Sequence, residues 1–221
     1  MSQPGNLLEV CVSMSKQERI LVTVFVALAC PFTTLVLFWW GGAGLAMYGV
    51  LPFGDRGIVA CALVGLTLGL ILDAVLLPRW VSGFYRLRLL WLLPLYALWS
   101  TIAAAFFMGM PFGNLALGTA VGVYLGRRAA HSGVPSQALP GIERPAASFT
   151  TYVLTAWSLP FALLALSEGA VVRTIHAVLG WTEASIKGVP GIALMCVICL
   201  VLAAVQFQLT ARALRRSYSL S

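Results

Sequence analysis

The 221-residue chain is 60% hydrophobic and 10% charged, with a net charge of +7 and a mean hydropathy of +0.94. A soluble domain is about 45–50% apolar and about 25% charged, and a fold of this size could not hide so much apolar surface from water. The basic balance does not indicate nucleic acid either, because the cations sit at the ends of apolar runs, where they set topology and meet lipid headgroups.

Lipid is therefore the expected solvent. At about 20 apolar residues per crossing, six spans with short connections use up the chain. The expected architecture is a single all-α transmembrane domain over residues 1–221, a compact bundle of about six helices with both termini cytoplasmic. A cleaved signal peptide is not expected: residues 1–19 are mixed in character, and the apolar run that follows ends in Trp39–Trp40, not at a small-residue cleavage site.

Span one is expected at about residues 20–40, behind Lys16 and Arg19, with Pro31 as a potential kink. A glycine-rich loop, residues 41–56, leads to span two at about 57–77, which Pro78 is expected to end. Arg79, Arg86 and Arg88 follow among Trp80, Phe84 and Tyr85, the mix of cations and aromatics found at a membrane interface. Span three, about 89–109, turns through a tight GMPFGN hairpin into span four at about 111–126. Its 16 residues reach about 24 Å, a little short of the hydrocarbon core, so a re-entrant loop is the rival reading. Residues 127–147 form the longest polar stretch, carry Arg127, Arg128, His131 and Arg144 with three prolines, and read as a cytoplasmic loop before span five at about 148–168.

Residues 170–180 place Val171, Val172, Ile175, Val178 and Leu179 at helical spacing, apart from Arg173, Thr174 and His176. That pattern predicts a short amphipathic helix on the outer surface, ended by Gly180 and anchored by Trp181. Span six, about 188–210, precedes Arg212, Arg215 and Arg216. With both ends inside, eleven Lys or Arg residues are cytoplasmic and three (Arg56, Arg173, Lys187) are external. This is a positive-inside bias, and it argues against the re-entrant alternative. A prokaryotic plasma membrane is the expected location, since no organelle signal is visible.

Two stripes of small residues stand out. Gly57, Cys61, Gly65, Gly69 and Asp73 in span two are spaced by four, as are Asn114, Gly118, Gly122 and Gly126 in span four. Residues four apart share a helix face, and small faces let backbones approach closely in lipid. Both spans run inward, so the stripes could pack on each other in parallel; a homodimer seam is the alternative. Asp73 is the carboxylate well inside a span, expected near its cytoplasmic edge. It should have a partner, either an arginine of the 79–88 connector or a proton or cation on a transport path. Glu168 is expected to end span five, where its charge opposes the helix dipole and needs Arg173 or Arg56 to compensate it. Asn114 either caps a turn or contacts a ligand.

Cys196 and Cys199 form a CxxC within span six. Membrane enzymes of the vitamin K epoxide reductase type carry a CxxC on a helix, and the chain resembles them at these two positions alone. The loop cysteine pair that relays electrons in such enzymes has no counterpart here, so apolar packing is the plainer reading. With His131 and His176 the only histidines, and with no H-E-x-x-H, G-x-S-x-G or P-loop, no metal site and no cofactor are expected, and an enzyme is the lesser reading.

Three functional classes follow. The first is a small transporter or channel-like protein, or the membrane subunit of a transport system. The second is a structural or assembly subunit of a larger membrane complex, and the third an enzyme acting on lipid or quinone through Glu168, Arg173 and His176 or through Asp73 and its neighbouring arginines. Membrane lipids, and either copies of itself or other membrane subunits, are the expected partners.

Overall fold

The computed structural model describes residues 14–50, 54–87, 89–107 and 111–220. Among the described residues every regular element is a helix, the form in which a backbone surrounded by lipid can satisfy all its N–H and C=O groups within one segment. Four helices among the described residues are long and apolar enough to cross a membrane: Lys16–Met47, Asp55–Arg86, Ser136–Ala165 and Val189–Ser219. No more than 17% of the apolar window of any of them is buried inside the chain, so most of that surface is left for lipid. The protein is an integral membrane protein.

The helices are α1 (Lys16–Met47), α2 (Asp55–Gly83, continued by a 3-10 turn at Phe84–Arg86), α3 (Leu89–Phe106), α4 (Phe112–His131), α5 (Pro140–Ala165), α6 (Gly169–Leu179), α7 (Glu183–Lys187) and α8 (Val189–Ser219). The chain divides into two compact units, Met1–Arg88 and Leu89–Ser221.

Unit one is an antiparallel hairpin of α1 and α2. Ser15 caps α1, its hydroxyl accepting from the Glu18 N–H at 3.2 Å. Inside the apolar stretch Thr23, Thr33 and Thr34 turn their hydroxyls back onto the carbonyls of Arg19, Ala29 and Cys30 at 2.7, 2.6 and 3.0 Å, which meets their hydrogen-bonding need without water. The register is fixed by close approaches at three heights. A Cβ at Gly42 would lie 2.9 Å from the Cys61 Cβ. One at Gly65 would lie 2.5 Å from the Thr34 carbonyl oxygen, and one at Gly69 2.5 Å from the Pro31 Cα. At the charged end Tyr85 donates to the Glu18 carboxylate at 2.6 Å.

In unit two α8 is the central helix, packed along α4 and α5. Contacts climb together along α4 and α8, from Gly118 beside Gln206 to Gly126 beside Leu214, so these two run parallel. The pairs Thr150–Thr210 and Glu143–Arg215 make α5 antiparallel to α8. Helix α3 turns back on α4, with a Cβ at Gly113 only 2.8 Å from both the Ala103 Cβ and the Phe107 ring, and its Tyr96 ring lies 5.5 Å from that of Phe149 on α5. Leu125, Ala129, Leu139 and Leu214 close the core at the end of the bundle where α8 finishes.

Several boundaries differ from the sequence-based expectation. Pro78 does not end the second helix, which runs on to Gly83. Helix α4 extends to His131, giving 20 residues or about 30 Å. The polar stretch 127–147 shrinks to residues 132–139, because α5 already begins at Pro140; proline at the first helical position needs no N–H partner. Helix α6 occupies the expected amphipathic segment and stops at Gly180, whose φ of 67° suits glycine. Among its described side chains Val172 is buried, packed with Leu166 and Ile186. Cys11, Arg88, hairpin residues 109–110 and the side chains of Val171 and Ile175 lie outside the described residues.

Candidate functional site

Asp73 lies in the α1–α2 seam, with 7% of its surface exposed. Because α2 continues past Pro78, ten residues follow Asp73 within the helix, about 15 Å of rise. The Cys30 thiol of α1 lies beside its carboxyl and is directed at the Gly69 carbonyl, 3.7 Å away. The Asp73 Oδ1 has no hydrogen-bond partner among the described residues. Arg79 is six residues further along α2 and exposed, about 9 Å away along the axis, and no ion pair joins the two. The expected arginine partner is therefore missing at Asp73 within the described residues.

The glycine stripe below Asp73 is covered by α1: Gly65 faces Thr34 and Phe38, and Gly69 faces Thr34 and Pro31. Gly57 is buried as well. In unit two Gly118, Gly122 and Gly126 are covered by α8, where an added Cβ would run into Gln206, the Thr210 carbonyl and the Leu214 carbonyl respectively. The anticipated parallel packing of one stripe on the other is thus replaced by two separate seams, each closed within its own unit.

The α4–α8 seam holds a polar layer that sequence reasoning missed. Gln206 donates through Nε2 to the Thr210 hydroxyl at 3.0 Å, which lies 3.1 Å from the Gly118 carbonyl and 3.0 Å from the Thr150 hydroxyl of α5. All three side chains are fully buried. Asn114 sits one turn before Gly118 on the same face and is 2% exposed. Its Oδ1 and the Gln206 Oε1 have no partner among the described residues. The available signal was Gln206 and Thr210 spaced by four inside an apolar run.

A second missed feature is the bidentate pair of Arg215 with Glu143, both contacts at 2.6 Å. Glu143 is 5% exposed, whereas the Arg215 side chain is 70% exposed, so the pair lets a buried carboxylate reach the aqueous edge through its partner. Reading 127–147 as a loop concealed it. Removing the guanidinium leaves the carboxylate buried without its main donor. Arg215→Ala should therefore lower the melting midpoint by a few degrees, and adding Glu143→Gln to it should recover most of that loss. Thermal melts of the purified protein in detergent check both.

Glu168, Arg173 and His176 are joined by no ion pair or side-chain hydrogen bond among the described residues. Glu168 does not end α5, which stops at Ala165; it is the N-cap of α6, its carbonyl accepting from Val172 at 3.1 Å. The dipole argument reverses, since a carboxylate at a helix N-terminus is favourable. Glu168, Arg173 and His176 are all exposed. Glu168 makes no ion pair among the described residues, and His176 Nδ1 bonds the Trp181 carbonyl. Two surface grooves, of about 370 and 210 Å³, run along one face of α1 (Lys16 to Val24) and one of α5 (Tyr152 to Pro160) and include none of these residues. Cys30, Cys61, Cys196 and Cys199 are free thiols, and no group able to hold a metal ion occurs among the described residues.

Comparison with protein-family models, with curated proteins and with solved structures finds no match. The class that the fold defines is a helical integral membrane protein.

Proposed function

We propose that the chain is a six-span protein, N-in and C-in, acting as a small transporter or as the membrane subunit of a transport system, with Asp73 as the group that carries the transported ion or proton. The observation behind this is the Asp73 carboxyl: interior to α2, 93% buried by its 7% exposure, with an oxygen that has no partner among the described residues. An ionisable group at such depth is costly by about 2.5–3.5 kcal/mol on insertion scales and in general marks an ion or proton path. Six spans require α3 and α4 to cross alongside the four long helices. Their 18 and 20 residues correspond to about 27 and 30 Å, close to the hydrocarbon thickness. The amphipathic α6 then lies on the outer interface, and the membrane is the plasma membrane of a prokaryote.

The assembly-subunit reading is supported by the glycine seams, which leave no room for a methyl group, and by the apolar flanks of α1 and α2. Mild purification followed by mass spectrometry separates the two readings, with stoichiometric protein partners favouring the assembly role. The test of transport is potential-driven ion or proton uptake into vesicles holding the protein with any partner that co-purifies, compared with Asp73→Asn.

A further inference from the structure

We propose that the groove along α1 between Lys16 and Val24 holds an anionic glycerophospholipid, its phosphate between Lys16 and Arg19 and its upper acyl chain along Ile20 and Val24. The groove has a volume of about 370 Å³ and is lined by Lys16, Arg19, Ile20, Thr23 and Val24. Those residues fall at i, i+3, i+4, i+7 and i+8, a single stripe of a helix. From the first to the last the axis rises about 12 Å, so the stripe leads from the first turn of α1 into its apolar run. Its two ends differ in chemistry. Lys16 and Arg19 are exposed and enter no ion pair among the described residues. Ile20 and Val24 are 62% and 51% exposed. The Thr23 hydroxyl between them is already engaged, donating to the Arg19 carbonyl at 2.7 Å.

The charge is one-sided. Glu18 is the acidic residue of the first turn, but it lies about 200° around the helix from Lys16, and its carboxylate accepts the Tyr85 hydroxyl at 2.6 Å. That carboxylate is therefore turned to the α2 side and does not neutralise the groove. Arg86, next to Tyr85 and exposed, adds a further cation at the same end of unit one. Cations in a first turn are also opposed by the positive end of the helix dipole, so an anion at Lys16 and Arg19 relieves two repulsions at once. An acidic protein segment supplies an anion but does not match the rest. Beyond Arg19 the groove is apolar, and it lies on a helix of whose apolar window only 17% is buried inside the chain. A phosphate joined directly to hydrocarbon matches both halves, and cationic side chains three apart on one helix face can share its oxygens. A zwitterionic lipid carries the same phosphate with a cation attached, so net negative charge is what the two cations select.

The test is photolabelling of the full chain in phosphatidylcholine vesicles. A trace of phosphatidylglycerol, or of phosphatidylcholine, carries a diazirine near the top of one acyl chain, and peptide mass spectrometry locates the label. Each cation near an anionic headgroup is worth roughly fivefold in affinity. The phosphatidylglycerol probe should therefore label residues 20–24 at least about fivefold more than the phosphatidylcholine probe. Lys16→Gln with Arg19→Gln should remove that excess, and Arg19→Lys should keep most of it. Arg212→Gln with Arg216→Gln, at exposed arginines of α8, should leave it unchanged. All these positions are exposed, so each variant should melt like the wild type. Equal labelling by the two probes overturns the proposal, and is the result if another segment of the chain or a protein partner covers the groove. An excess that survives Lys16→Gln with Arg19→Gln also overturns it. So does loss of the excess in the α8 variant, which would make it a general attraction to the basic surface.

Discussion

Gly122→Leu should abolish the native packing of the second unit. At Gly122 an added Cβ runs into the backbone carbonyl of Thr210 and comes within 3.0 Å of the Ala213 Cβ. A flexible side chain could turn aside, but a carbonyl within a helix cannot move without the helix moving. Four extra carbons would then push α8 off α4 and strain the Thr210 contacts to Gly118 and Thr150. Overpacking of a tight site costs about 1–3 kcal/mol when neighbours relax, and here the neighbour is backbone, so about 3 kcal/mol or more is expected. That corresponds to a drop of roughly 10 °C in melting midpoint for a chain of this size. Gly141→Leu, at a position with nothing within 4 Å of an added Cβ, is the matched control and should melt like the wild type. Equal midpoints for the two variants would show that the seam is not packed as described.

Asp73→Asn should have the opposite profile, a large functional loss with little change in stability. Asparagine is close in shape to aspartic acid and fits the same buried place in the α1–α2 seam. It carries no titratable group, so turnover at that site should fall by at least tenfold in vesicle uptake, while the melting midpoint stays within about 2 °C, a change of no more than about 1 kcal/mol. Asp73→Glu keeps the titratable group but adds a methylene to a seam that excludes a methyl at Gly69, so it should retain partial uptake at reduced stability. An Asp73→Asn protein with wild-type uptake would remove Asp73 from the mechanism.

The sequence made the helical, membrane-embedded character legible because composition and apolar run length act over whole segments. The spacing of Gly118, Gly122 and Gly126 likewise announced a small face, since helix periodicity alone puts them together. Which helix covers that face was not legible: α8 and α4 are far apart in sequence, and nothing local to the glycines distinguishes Gln206 and Thr210 from any other polar residues in a span. Pro78 misled because a proline commonly ends a helix in water, whereas in lipid the unmatched carbonyl is more costly to abandon than to accommodate within a continued helix. Glu168 was assigned to the wrong helix end because the α5 boundary was placed three residues too late, and one short turn reversed the sign of its electrostatics. Glu143 stayed hidden in a polar stretch that is mostly helix.

The attachment of α8 at several heights has a mechanical meaning. The hydrogen bonds of Thr210 to both neighbouring helices, the backbone contacts at Gly122 and Gly126, and the Glu143–Arg215 clasp near its end fix rotation and sliding together, since each residue of slip would turn the helix by about 100° and break all of them. Helix α8 therefore behaves as a strut. A force applied at the Val189 end, where α7 joins it directly, reaches the Arg215 end as a tilt of α4, α5 and α8 moving as one piece.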